Sequence, residues 1–246
     1  MNLKGTAALI TPLMLASVTV AAVSSPVQAG PLRTYSVTIE TLVNSQPLSP
    51  GLVVTTTSTA PSKVYGSGNL ITPEMAYIAQ TGVQAPLVDA YRNAPGTTEV
   101  VDIARPITPR DSTAGGFSDT LTVQIKANPN DVLTLAMMLI CTNDGFVMLD
   151  RAGLPGVMGG TQTTNLYARD GGVEQNTERS QDLAGPCSGV DPAPLSGDPN
   201  GNDDTTTRTT PQQPFGSHPG ITGGADLSSV HAWSGPVASV TVTRIG

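Results

Sequence analysis

Apolar and polar residues alternate with a period of two in three separated segments of the chain. Near the N-terminus Tyr35, Val37 and Ile39 alternate with polar residues, and the same pattern recurs over residues 121–125 and 238–242. A period of two is typical of a strand with one buried face. Because the first and last of these segments share their alternation, we expect them to pair in one sheet and to bring the chain ends together.

An unbroken apolar run over residues 132–141 lies in the middle of the chain. A run without alternation indicates a strand that is covered on both sides. We therefore place this strand at the centre of a sandwich. It leads to a turn at Asp144, and residues 145–150 are predicted to form the returning strand of a hairpin.

One region carries helical signals. Thr72 is a candidate N-cap, Pro73 fits the first helical position, and Gly82 can end the helix. A second short helix is predicted over residues 86–93. The pattern as a whole predicts an all-β fold, an antiparallel β-sandwich with a small α-helical insertion.

The composition agrees with that fold class. Charged residues make up 13% and aromatic residues 4%, whereas glycine and proline are abundant; surface helices would need more Glu, Lys and Arg. Residues 30–246 suffice for one domain. Within it, residues 188–215 contain few apolar side chains and are predicted to form a flexible loop.

Residues 1–29 have the features of an export signal. Lys4 provides a positive start, an apolar stretch follows, and Ala29 closes a small-residue cleavage site. Pro12 and Ser17 interrupt the apolar stretch, so a permanent membrane span is the weaker interpretation. We expect a secreted protein, in the periplasm or outside the cell, without a transmembrane span after cleavage.

Net charge narrows the set of partners. Removal of residues 1–29 takes away Lys4 and no acidic residue, so the formal charge changes from −7 to −8. Lys and Arg are few and scattered. Nucleic acid is therefore not an expected partner, because phosphate binding needs clustered cations.

Two cysteines, Cys141 and Cys187, occur in this predicted exported chain. A disulfide is the expected state in an oxidising compartment, and a pair of free thiols is the alternative. In the loop-entropy description the bond would stabilise the fold by about 4 kcal/mol.

Three acidic residues stand near glycines between the two cysteines. Asp144 follows the central apolar run, and Asp170 and Glu174 flank Gly171-Gly172, which permit a tight turn. Calcium takes roughly six to eight oxygen ligands in irregular geometry, so these acids are candidate calcium ligands. Solvated loop acids are the alternative. Asp150 is excluded because an extended chain places it about 20 Å from Asp144.

Five segments together resemble the spondin N-terminal domain family, in its stand-alone secreted bacterial branch. They cover most of the chain after residue 30, in the family's order. The segments are the turn at 143–146, the element at 170–174, the strands at 236–245 and 35–43, and the tetrapeptide at 218–221.

The resemblance implies a sandwich similar to calcium-dependent phospholipid-binding domains. It also implies that one calcium ion is bound by the acids that match Asp144, Asp170 and Glu174, although Glu174 replaces an aspartate of the family. The implied function is a non-catalytic module for extracellular adhesion or ligand binding. Its partner would be an extracellular protein, a glycan or a lipid surface.

Two other classes of function stay open. One is a secreted hydrolase that uses this metal or a serine triad with His218 or His231 and Asp226. The other is a carbohydrate-binding module, for which the chain has few aromatic residues. Only two histidines occur and neither stands in a zinc-binding spacing, so a zinc site is not expected.

Overall fold

The computed structural model describes residues 30–187, residue 190 and residues 207–246. The predicted export signal and most of the predicted flexible loop lie outside the described residues.

Within the described ranges the chain forms ten strands in two antiparallel sheets, which confirms the all-β sandwich. The first sheet has the order β4-β1-β10-β7 and the second the order β3-β2-β5-β6-β8-β9. The strands are β1 (Arg33–Thr41), β2 (Leu48–Thr57), β3 (Thr97–Ile103), β4 (Thr120–Ala127), β5 (Asp131–Leu139), β6 (Gly145–Gly153), β7 (Thr161–Leu166), β8 (Arg169–Asp170), β9 (Gly216–Ser217) and β10 (Ala238–Arg244).

The first and last strands pair as predicted. β1 and β10 are antiparallel neighbours, with Val37 opposite Val242 and Ile39 opposite Val240. Their inward side chains are fully buried between the two sheets. The matching alternation of the two segments therefore correctly predicted that β1 and β10 share a buried face.

The central strand β5 is covered on both sides, as the unbroken apolar run indicated. Leu133 and Leu135 belong to the core between the sheets. Ala136 and Met138 belong to a second core on the outer face of the larger sheet. Alternate side chains of a strand point to opposite faces, so both faces of β5 need apolar residues.

Two helices cover that outer face, α1 (Pro73–Thr81) and α2 (Ala85–Arg92). The backbone N–H of Met75 donates to the Thr72 side chain at the start of α1, at 3.2 Å. Gly82 ends α1 with a φ of +71°. The predicted helical insertion and its capping residues are confirmed.

The predicted disulfide between Cys141 and Cys187 is present. It links the end of the central strand to the segment that follows the acidic turn, within a small apolar cluster with Leu183 and Leu227.

Residues 207–215 fall within the predicted flexible loop, yet they are hydrogen-bonded to the sandwich. Gln175 donates its backbone N–H to Thr207, and Gln213 donates its own to Gly172. This part of the segment packs against the acidic turn. Its predicted flexibility stays a prediction.

No helix in the described part of the chain is long and apolar enough to cross a membrane.

Candidate functional site

Strand pairing brings two of the three predicted ligands side by side. Asp144 directly precedes β6, and β6 pairs with β8 so that Gly145 lies opposite Asp170. The backbone N–H of Gly171 donates to the backbone carbonyl of Asp144 at 3.1 Å. The chain then turns and carries Glu174 past the same point.

The two glycines allow this turn to close tightly around Asp144. A side chain on Gly171 would place its Cβ 3.2 Å from the Asp144 carboxylate. Gly172 has a φ of +69°, and a Cβ there would lie 2.3 Å from the backbone oxygen of Gln213. Position 172 therefore requires glycine for space and for backbone conformation, and position 171 leaves little room for a side chain.

The Asp144 carboxylate is completely buried in this turn. Its Oδ2 accepts hydrogen bonds from the backbone N–H groups of Val173, at 2.8 Å, and Glu174, at 2.9 Å. Its Oδ1 is buried and has no hydrogen-bond partner among the described residues. Burial and the negative charge of Asp170 raise the pKa of Asp144 to about 6, against the opposing effect of the backbone donors.

Glu174 is also buried, and its side chain reaches the helical insertion. Its Oε1 accepts a hydrogen bond from the amide of Gln80, on α1, at 2.8 Å. Burial raises the pKa of Glu174 to about 8; the Gln80 hydrogen bond opposes this shift and the charge of Asp144 adds to it. Gln80 was missed at the sequence level, because a glutamine in a helix carries no signal of a distant partner.

Asp170 is half-buried and held by neighbouring donors. Its Oδ1 accepts the backbone N–H of Gly172 at 2.9 Å, and its Oδ2 accepts the side-chain amide of Asn176 at 2.6 Å. All three predicted ligands thus accept hydrogen bonds from the protein. In the described ranges no group of three or more His, Cys, Asp or Glu side chains is arranged to hold a metal ion.

Asn143 and Glu178 hold the turn in place through hydrogen bonds to neighbouring segments. The Asn143 side chain accepts the backbone N–H of Thr177 at 3.0 Å and donates to the backbone oxygen of Asp182 at 3.1 Å. One residue further, Glu178 accepts hydrogen bonds from the backbone and hydroxyl of Thr222 and from the backbone of Gly224. The turn is thereby fixed to the loop at 222–224.

Glu178 differs electrostatically from Asp144 and Glu174. Burial alone would raise its pKa, but the donors of Thr222 and Gly224 outweigh burial and lower the pKa of Glu178. It is therefore a carboxylate that the fold keeps charged with its own donors. Sequence reasoning missed this residue too, because its donors lie more than forty positions away.

Both histidines bind loop backbone through Nδ1. His218 Nδ1 accepts the backbone N–H of Gly220 and His231 Nδ1 that of Ser228, each at 3.0 Å. In a serine triad Nδ1 instead donates to a carboxylate. The Asp226 carboxylate accepts a backbone N–H. These contacts do not favour a triad on either histidine.

A scan against models of known protein families finds no match, and a search of curated proteins finds no relative of this chain. The resemblance to the spondin N-terminal domain family therefore stays a prediction. The functional site is therefore inferred from the geometry of this chain.

Proposed function

We propose that this protein is a secreted, non-catalytic module that binds calcium through Asp144, Asp170 and Glu174. The calcium-bound end of the sandwich would serve extracellular adhesion or ligand binding, with an extracellular protein, a glycan or a lipid surface as partner. The observation that carries the proposal is the buried Oδ1 of Asp144, which lacks a donor among the described residues.

A buried carboxylate oxygen without a donor is unfavourable, because the charge has lost its water and gained no replacement. Glu178 shows how this fold satisfies a structural carboxylate, with donors on both oxygens. Asp144 has donors on one oxygen only. A cation beside Oδ1 would supply the missing interaction.

The donor set around Asp144 favours calcium among the common metal ions. The carboxylates of Asp170 and Glu174 lie close enough to Asp144 for their charges to interact, so the nearby candidate ligands are all oxygens. Zinc prefers sulfur and nitrogen, and magnesium requires near-ideal octahedral geometry. Calcium accepts irregular sets of oxygens, which suits ligands drawn from a turn and a strand end.

Calcium would also offset the repulsion between the carboxylates of the turn. After burial, the charge of Asp170 raises the pKa of Asp144, and the charge of Asp144 raises that of Glu174. A divalent cation would stabilise both carboxylates in the charged form. Since the turn is braced by Asn143 and Glu178, the bound ion would fix this whole end of the sandwich as a docking surface.

The non-catalytic part of the proposal is supported by the histidines. Each has its Nδ1 occupied by a backbone N–H, and Nδ1 is the atom that donates to the carboxylate in a serine triad.

Thermal unfolding in EDTA and in calcium, with magnesium as a second control ion, tests the calcium site. Calcium at about 100 times its Kd should stabilise the protein by about 2.7 kcal/mol. For a domain of this size that corresponds to a rise in Tm of about 5–10 °C. Magnesium should give a clearly smaller rise.

The variant Asp144→Asn should fold in EDTA, because its amide oxygen can still accept the two backbone N–H groups, but should lose the rise in calcium. Asp150→Asn is the matched control, since Asp150 lies on β6 and accepts a hydrogen bond from Tyr65, away from the turn. Absence of a calcium-dependent rise in the wild type, or an equal rise in Asp144→Asn, would contradict the proposal.

A further inference from the structure

A cavity of about 470 Å³ lies where β8 meets β9, beside the loop that carries Trp233. Its walls include Tyr167, Arg169, His218 and Trp233. This volume lies within the usual range of small-molecule sites. Arg169 and Asp170 are successive residues of β8, so their side chains point to opposite faces, and the cavity is distinct from the acidic turn.

Two aromatic side chains form the apolar part of the wall. Trp233 is the only tryptophan of the chain and is half-buried, with its ring centroid 5.2 Å from that of His218. Tyr167 is 55% exposed, which is high for a large side chain with an apolar ring. In a chain with only 4% aromatic residues, two of them line this one cavity.

Arg169 provides a positive charge without a partner. In the part of the chain that the structure describes, its guanidinium makes no salt bridge and no hydrogen bond. Asp170, the adjacent acid, is already hydrogen-bonded to Gly172 and Asn176. A guanidinium can donate two parallel hydrogen bonds to one carboxylate, so the carboxylate of a ligand would pair with Arg169.

His218 adds a donor that also lacks a partner. Its Nδ1 accepts the backbone N–H of Gly220, so the proton of the neutral ring is on Nε2. This Nε2 is buried and has no acceptor among the described residues. Burial lowers the pKa of His218, which favours the neutral ring. The His218 ring therefore adds no second positive charge to the wall of the cavity.

The charges and hydrogen-bonding groups of the cavity wall indicate which class of ligand it can bind. The described wall residues contain one cation and no carboxylate, so a single negative charge is matched and an ammonium group is not. This argues against amino acids and other zwitterions. The formal charge of −7 also disfavours long polyanions. The hydroxyls of Ser217 and Ser234 can bind neutral polar groups.

We propose that this cavity binds one carboxylated sugar ring, a hexuronic acid at the end of a glycan. The C–H faces of the ring would lie against Tyr167 and Trp233, its carboxylate would bind Arg169, and its hydroxyls would bind the two serines. The site does not depend on the proposed calcium ion.

The single tryptophan makes the site directly observable. Emission of Trp233 is followed in EDTA while the full-length protein is titrated with glucuronate, with glucose as the neutral counterpart and acetate as the carboxylate without a ring. We expect a saturable change with glucuronate, binding of glucose at least about 10-fold weaker, equal to about 1.4 kcal/mol, and no saturable change with acetate.

Two variants and a control sharpen the test. Arg169→Gln should weaken glucuronate binding at least about 10-fold and bring it close to that of glucose. Tyr167→Ala should weaken binding of both sugars. Arg92→Gln, on the exposed side of α2, removes the same charge far from the cavity and should leave the titration unchanged.

The proposal would be overturned by the absence of a saturable response to glucuronate, by equal affinity for glucose and glucuronate, or by an Arg169→Gln variant that binds like the wild type. Saturation by acetate with the same affinity would reduce the cavity to a simple anion site and would also contradict the proposal. Asp144→Asn separates the two sites, since it should abolish the calcium response and leave glucuronate binding intact.

Discussion

Without calcium, the protein should become less stable as the pH rises from 5 to 8. The group responsible is Glu174, whose pKa is raised from 4.5 to about 8 by burial. The native state therefore keeps a proton that the unfolded chain has already released. Stability from this group is complete below the unfolded pKa and is lost as the pH approaches the folded pKa.

The size of the effect follows from the interval between the two pKa values. One pKa unit corresponds to about 1.4 kcal/mol, so Glu174 sets an upper limit of about 5 kcal/mol. The pKa of Asp144 is also raised, to about 6, so Asp144 adds a loss of stability in the lower part of the same pH range. Glu178 has the opposite sign, but its lowered pKa acts below about 4.5, outside this window. The lowered pKa of His218 also has the opposite sign and acts below about 6.5, so the loss between pH 6.5 and 8 is the part that reports Glu174.

Urea denaturation in EDTA at several pH values between 5 and 8 measures this loss, and we expect at least about 2 kcal/mol. Glu174→Gln should remove most of the dependence, whereas Glu40→Gln, an exposed acid on β1, should not. In saturating calcium the trend should reverse, because the ion binds the charged carboxylates. Stability that is flat or rises with pH in EDTA would refute the assignment of Glu174 as a proton-retaining group.

Two further predictions concern the frame of the site. Gly172→Ala should destabilise the protein by at least about 2 kcal/mol in urea denaturation, because the new Cβ would collide with backbone at a positive φ, whereas Gly156→Ala, in open space, should be nearly neutral. Replacement of Cys141 and Cys187 by serine should cost about 4 kcal/mol, and a loss below about 1 kcal/mol would show that the bond adds little to folding.

The fold could be predicted from the sequence wherever a pattern extended over several residues. The alternation at Val37 and Ile39, the apolar run of β5 and the capping residues Thr72 and Gly82 each record a local environment that repeats along the element. Such patterns arise from burial on one face, on two faces or at a helix end, so they survive without knowledge of distant partners.

The surroundings of the acidic turn could not be predicted in this way. Gln80 reaches Glu174 from a helix 94 positions away, and Glu178 is satisfied by a loop 44 positions further along. A single hydrogen bond between distant residues leaves no period and no composition bias. The contact between residues 207–215 and the turn left no sequence signal for the same reason, because backbone groups make it and the side-chain pattern does not reveal it.

The two-residue strand β8 shows where sequence reasoning ends. It is too short to display any alternation, yet its pairing with β6 and β9 sets Asp170 beside Asp144 and Arg169 beside Ser217. The acidic turn and the cavity therefore depend on the same short ladder, one through each residue. Residues 168–171 carry no sequence pattern that predicts a strand. Only the pairing with distant strands places Asp170 at the acidic turn and Arg169 at the cavity.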